Sequence, residues 1–260
     1  MHHRSILATL TLAAGVLTAG NAAAVTVELT ASQDATIYSN ATSFANGTGI
    51  NFLAGNNGNG QTRRALLQFD LSSIAPGSTV TSAVLELYMD QTPSATARSI
   101  GLHAIDESWT EGPADPGGQQ GQGIAAGAGD VTWVSRSHPS TLWTTAGGAF
   151  GAASATLNVG AVGSYAWDSG AAGNAGMLTD VQSWIDAPGG NFGWMLVGAE
   201  SGTSTVKRFI SSEGDASLVP VLRLEIVPVP EPSTYALVVA GLALVAGAAR
   251  RESRRMPAIG

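Results

Sequence analysis

Three stretches of this chain alternate apolar and polar residues with a period of two. Val25, Val27 and Leu29 alternate with Thr26, Glu28 and Thr30. Ala83, Leu85, Leu87 and Met89 alternate with Ser82, Val84, Glu86 and Tyr88, and Leu222, Leu224 and Ile226 with Val221, Arg223 and Glu225. Successive side chains of a strand point to opposite faces, so this period reads as a half-buried strand. Short apolar runs at 64–70, 99–105, 155–159 and 193–197 add further strands. Between them lie Asn56-Asn57-Gly58-Asn59-Gly60, Pro76-Gly77-Ser78 and Pro188-Gly189-Gly190. Glycine and asparagine accept left-handed backbone and proline presets φ, so these clusters are turns. One helix is expected at 177–186, where Leu178, Val181 and Ile185 share a face and Pro188-Gly189 ends the run. The Gly-rich stretch 112–129 reads as a long surface loop. Many short strands separated by turn chemistry predict an all-β sandwich or jelly roll.

Both ends depart from this pattern. Residues 1–24 carry Arg4, an apolar stretch at 6–19 and Ala22-Ala23-Ala24, the layout of a secretory signal peptide. At the other end come Val229-Pro230-Glu231-Pro232-Ser233, an apolar run at 235–249, then Arg250, Arg251, Arg254 and Arg255. Apolar residues partition into hydrocarbon and arginines stay on the cytoplasmic side. The run is shorter than the ~20 residues of a full helical span, which suits a transient stop better than a permanent anchor. The expected organisation is a signal peptide at 1–24, a folded domain at 25–227 and a processing tail at 228–260.

Composition narrows the chemistry. The chain has no cysteine, so an exported domain must be held by burial alone or by burial plus bound metal. Thiol catalysis and thiolate metal sites are excluded with it. The formal charge is −7, and Arg4 with the four tail arginines lies outside the central segment, which is more acidic still. Such a surface repels nucleic acid and anionic lipid.

The tail closely resembles the PEP-CTERM sorting signal of Gram-negative bacteria, carried by Val229, Pro230, Glu231 and Pro232, the apolar run and the arginines in register. The resemblance implies recognition and cleavage by exosortase. It also implies export across the inner membrane to the envelope, cell surface or extracellular matrix. Membrane contact is then confined to the C-terminal span before processing.

A second resemblance covers the central segment. Gln33-Asp34-Ala35-Thr36-Ile37-Tyr38, the run at 64–74, the run at 80–88 and Glu107-Ser108-Trp109-Thr110-Glu111-Gly112 are similar to the DNRLRE domain family. Val131-Thr132-Trp133, Trp143-Thr144-Thr145, Asn191-Phe192-Gly193-Trp194 and Lys207-Arg208-Phe209 follow in the same order. The family's Ser-Arg-Glu reads here as Ser211-Ser212-Glu213. The resemblance implies a jelly-roll-like β-sandwich related to carbohydrate-binding modules, some of which bind acidic polysaccharides such as alginate.

Candidate chemistry follows. Trp109, Trp133, Trp143, Tyr165 and Trp167 gather in the loop-rich middle, and an exposed aromatic plane stacks on the CH faces of a sugar ring. The same residues would equally fill the core of a sandwich poor in large side chains. Lys207 and Arg208, with Arg136 and His138, are the cations for a uronate or sulfate, unless they pair with the chain's own carboxylates. Carbohydrate contact is therefore assigned to Trp133, Trp143, Trp167, Lys207 and Arg208. Asp34, Asp70 and Asp90, with Asn40, Asn46 and Asn51, offer hard oxygen ligands for a structural calcium ion, Asp34 foremost, although turn-forming Asx explains them too. No nucleophile or zinc motif occurs, so no enzyme is expected. The expected function is binding of extracellular polysaccharide; the alternative is a structural or adhesion protein of the matrix without a sugar site.

Overall fold

The computed structural model describes residues 23–229, 238–239 and 241–247. Its strands are β1 Val25–Tyr38, β2 Phe44–Asn46, β3 Asn51–Asn56, β4 Thr62–Phe69, β5 Thr79–Gln91, β6 Arg98–Ile105 and β7 Ile124–Ala125. They continue with β8 Ser135–Ser137, β9 Thr141–Leu142, β10 Phe150–Val159, β11 Gly163–Asp168, β12 Trp194–Val197, β13 Lys207–Ile210 and β14 Val221–Val227. The first strand begins at Val25 and the last ends at Val227. Residues 1–22 and most of the tail, with Pro230, Glu231 and Pro232, lie outside the described residues, while Val229 is exposed. Among the described residues no helix is long and apolar enough to cross a membrane.

The three alternating segments are β1, β5 and β14, and they pair with one another side by side. The start of β1 runs antiparallel to β14, which runs antiparallel to β5. Their inward residues, among them Leu85, Leu87, Leu222 and Leu224, enter the main core with Phe52, Trp167, Trp194 and Phe209. Their outward residues form a polar face on which Arg223 bridges Glu28 and Glu86.

The architecture corrects the jelly-roll expectation, because the pairing closes into a barrel. β5 also meets β13, β13 meets β3, β3 meets β4, and β4 returns to β1. Closure is possible because two strands change partner along their length. β1 leaves β14 after Thr30 and continues on β4, through an irregularity between Ala31 and Gln33. β3 leaves β13 after Ala54 and meets β4 from Gly55, whose φ of 110° is open to glycine. A ring leaves no unpaired edge along its circuit. From the far side of β4 the sheet extends through β12 and β6 to β10, and β11 adds to β5.

The expected helix is present as α1, Gly176–Asp186. It buries Met177, Val181, Trp184 and Ile185 against the main core and covers the gap between β5 and β10. Short 3-10 turns occur at Gly117–Gln119 and Pro188–Gly190.

The Gly-rich segment 112–129 is a largely exposed loop, and the residues on either side of it do more. Residues 106–149 lie over the outer face of β1, β4, β6 and β12 and build a second core there. Trp109, Val131 and Trp143 meet Ala35, Ile37, Leu66, Ile105 and Met195. The end of β1 is thereby buried on both faces, from Asp34 to Tyr38. Polar anchors fix the cover: Tyr38 Oη donates to the Gln120 carbonyl at 2.6 Å, and Gln120 Oε1 accepts from the Asn51 amide at 3.2 Å.

Trp167 is 0 % exposed, stands edge-on to Phe209 at 6.3 Å and donates from Nε1 to the Ile100 carbonyl at 3.2 Å. Replacing it with alanine should cost about 3–5 kcal/mol through the cavity left behind. Chemical denaturation of the variant measures this directly. A loss near zero would contradict its position at the centre of the core.

Candidate functional site

Two places on the outer layer concentrate chemistry. The first lies where β1, the segment after β6 and the turn after β13 meet. Asp34, Glu111 and Glu213 each bring a carboxylate oxygen within 4.8 Å of the other two. β1 places Asp34 just beyond its irregularity, where the strand is already covered on both faces. Glu111 precedes Gly112, whose φ of +75° turns the chain tightly against Asp130, where an added Cβ would collide. Glu213 sits in the turn closed by the Gly214 amide on the Ser211 carbonyl at 3.1 Å.

The hydrogen bonds within this trio come from neutral donors. Asp34 Oδ2 accepts from the Ser212 amide at 2.7 Å, and the Asp34 amide donates to Glu111 Oε1 at 2.7 Å. Ser212 Oγ donates to Glu213 Oε1 at 2.9 Å. None of the ion pairs among the described residues reaches these carboxylates. Burial pushes the Asp34 carboxyl up to about 8, against the opposing hydrogen bond from Ser212 and with added repulsion from Glu213 and Glu111. Glu111 is pushed up to about 7, again chiefly by burial.

The second place is an aromatic cleft on the outer face of β4. The Arg64 guanidinium lies over the rings of Trp133 at 4.9 Å and Phe150 at 5.1 Å. It is fixed by Glu200, with Nε to Oε1 at 2.6 Å and Nη2 to Oε2 at 2.9 Å, and donates from Nη1 to the Gly147 carbonyl at 2.8 Å. Beside it opens a cleft of about 480 Å³ lined by Arg64, Asp106, Thr144, Thr145 and Phe150. The lining offers aromatic surface, a carboxylate and two hydroxyls, the mixture that sugar hydroxyls and CH faces require.

The sequence-chosen sugar residues fall in different environments. Trp133 is half-buried beside this cleft. Trp143 is 6 % exposed in the second core, donating from Nε1 to the Thr132 carbonyl at 3.0 Å. Trp167 is fully enclosed in the main core. Lys207 is 1 % exposed, with Nζ donating to Ser94 O at 2.7 Å, Gly160 O at 2.9 Å and Thr92 Oγ1 at 3.1 Å. It ties two turns together, and burial lowers its pKa. Arg208 is held by both oxygens of Asp90, at 2.9 and 2.6 Å. Among the oxygen ligands considered from sequence, Asp34 alone joins the carboxylate trio. Glu111 and Glu213 carried no metal-ligand signal, since residues 34, 111 and 213 meet only through the fold. Arg64 was hidden inside a strand-like run, and Phe150 stood in a stretch without a chemical signal of its own.

Residues 25–114 match carbohydrate-binding module family 96. Residues 228–255 match the PEP-CTERM protein-sorting motif. The first match covers β1 through β6 and includes Asp34, Arg64 and Glu111; it is consistent with the DNRLRE resemblance of the sequence. The second implies exosortase processing and export to the envelope or cell surface. No curated protein matches the chain. Carbohydrate-binding modules are non-catalytic, and nothing in either cluster of side chains indicates catalysis.

The raised carboxyls have a consequence for metal-free protein. A carboxyl whose folded pKa exceeds its unfolded value binds more protons when folded, so folding stability falls as pH rises between the two values. For Asp34 that window runs from its ordinary 3.8 to about 8. The melting temperature of chelator-treated protein should therefore drop across this range, and Asp34→Asn should flatten the drop. Melting curves at several pH values check it; a melting temperature that climbs steadily through the window would contradict the buried acid.

Proposed function

We propose that the segment 25–227 is a non-catalytic carbohydrate-binding domain of an exported protein of a Gram-negative bacterium, and that its sugar lies in the cleft beside Arg64. The match of residues 25–114 to carbohydrate-binding module family 96 carries this reading. The cleft is chosen because it joins the half-buried ring of Phe150 to exposed polar groups, with Trp133 beside it under the Arg64 guanidinium. Trp133 and Phe150 would support a sugar ring, while Asp106, Thr144 and Thr145 would bond its hydroxyls. The proposal keeps Trp133 from the residues named by sequence and adds Arg64, Asp106 and Phe150.

A glycan array of neutral and acidic polysaccharides tests this. Asp106→Ala, on an exposed residue, should weaken binding with little effect on melting. Trp133→Ala should weaken it by about 1–3 kcal/mol, the scale of a hot-spot residue. If no glycan binds, the domain serves structure or adhesion instead; if a glycan binds but neither variant binds less tightly while folded, the sugar lies outside this cleft. An alginate-like polymer poses a sharper condition. Glu200 already occupies the planar fork of Arg64, so a uronate must displace it. Glu200→Gln should then strengthen alginate binding; unchanged affinity would remove Arg64 as a reader of acidic sugar.

Processing is tested separately. The intact mass of protein recovered from the envelope or medium should lack the apolar run 235–249 and the arginines beyond it. Recovery of the whole tail would end the exosortase assignment.

A further inference from the structure

Asp34, Glu111 and Glu213 come from a strand, a covering segment and a turn that are distant in sequence, and they bring three acids together where no cation among the described residues pairs with them. Like charges this close are mutually unfavourable unless protons or a cation neutralise them. An independent observation points into the cluster: Asp34 is 1 % exposed, and its Oδ1 has no hydrogen-bond partner among the described residues. A buried polar atom without a partner costs stability, and native structures seldom leave one. The bonds already described engage Asp34 Oδ2, Glu111 Oε1 and Glu213 Oε1, so each carboxylate keeps one oxygen for a ligand.

We propose that this trio binds a divalent hard cation of the calcium class. The donors are all oxygen, with no imidazole or thiolate, which suits calcium rather than zinc or copper. Three carboxylates fall short of the six to eight oxygens that calcium takes, and exposed Glu213 leaves a side through which water completes the shell. Burial of Asp34, half-burial of Glu111 and exposure of Glu213 grade the site from floor to mouth. The bound ion would clasp β1, the start of the covering segment and the turn before β14. That clasp takes the structural place that disulfides hold in many exported domains, in a chain without cysteine. The site is separate from the aromatic cleft, so its failure would leave the carbohydrate proposal standing.

The test uses the full chain, stripped with chelator and titrated with calcium chloride. Calorimetry should give one site with Kd on the order of 10⁻⁴ to 10⁻³ M, the range of extracellular calcium modules. Saturating calcium should raise the melting temperature by several degrees, since it binds only the folded trio. Magnesium chloride at the same ionic strength should give a much smaller rise. Glu213→Gln, at an exposed position, should fold normally and bind calcium at least about tenfold more weakly. Asp34→Asn should melt no lower than the stripped wild type, because it removes a buried acid, and yet gain nothing from calcium. An absence of binding heat with no calcium-dependent melting shift would overturn the proposal. So would an equal response to magnesium, or calcium binding undiminished in either variant.

Discussion

β1 serves both layers of the molecule, and the remaining structure depends on that double use. Its first six residues pair with β14 and its last ones with β4. The change of partner coincides with the irregularity between Ala31 and Gln33. Beyond it the strand is buried on both faces: one lies in the second core, and the other carries Asp34, Thr36 and Tyr38 against Ser212, Leu53 and Gln120. Ala35 and Ile37 pack in the second core, and Tyr38 is held by the carbonyl of Gln120. Asp34 stands at the entry to this enclosed stretch. The transition that closes the barrel also takes a carboxylate out of water.

Period-two alternation made β1, β5 and β14 legible, because each has one wet face. The helix was equally legible, since Leu178, Val181 and Ile185 followed the helical period and Pro188 ended it. The pattern could not reveal closure. Whether β4 meets β3 or β1 depends on pairings between residues distant in sequence, and a fully buried run such as Leu66-Leu67 looks the same in a barrel or a jelly roll. The segment 112–129 is a largely exposed loop, as expected, and what the pattern did not show is the role of its flanks. Its glycines signal turns correctly, but the residues around them, Trp109, Val131 and Trp143, supply enough apolar surface to cover a sheet face.

The same distinction governs the sites. Tryptophans in a Gly-rich region are candidates for exposure, yet Trp143 and Trp167 find carbonyl partners inside the molecule for their indole N–H groups. Satisfying that donor internally removes the penalty of burying the ring. Lys207 follows a similar rule. A lone lysine invites a functional reading, but three short bonds to oxygens of two turns make it an internal brace. Asp34 was visible as an oxygen donor, while its companions Glu111 and Glu213 belonged to segments whose convergence only the fold supplies.

The fate of the basic side chains bears on what polymer the surface accepts. Arg64 is held by Glu200, Arg208 by Asp90, Arg223 by Glu28 and Glu86, and Arg136 lies 3.8 Å from Glu107. Arg63 is buried and donates twice to the Gly121 carbonyl, and Lys207 is enclosed. Arg98 remains exposed, with no carboxylate partner among the described residues. A polyanion approaching this acidic domain is repelled at long range, with the field screened over about 8 Å at physiological salt. Close contact then requires it to displace internal carboxylates from arginines already matched to them. A neutral glycan meets neither barrier, and in the proposed cleft it would need only aromatic surface and hydroxyls. The ion pairing of the domain therefore favours a sugar recognised by shape and hydroxyl pattern over one recognised by charge.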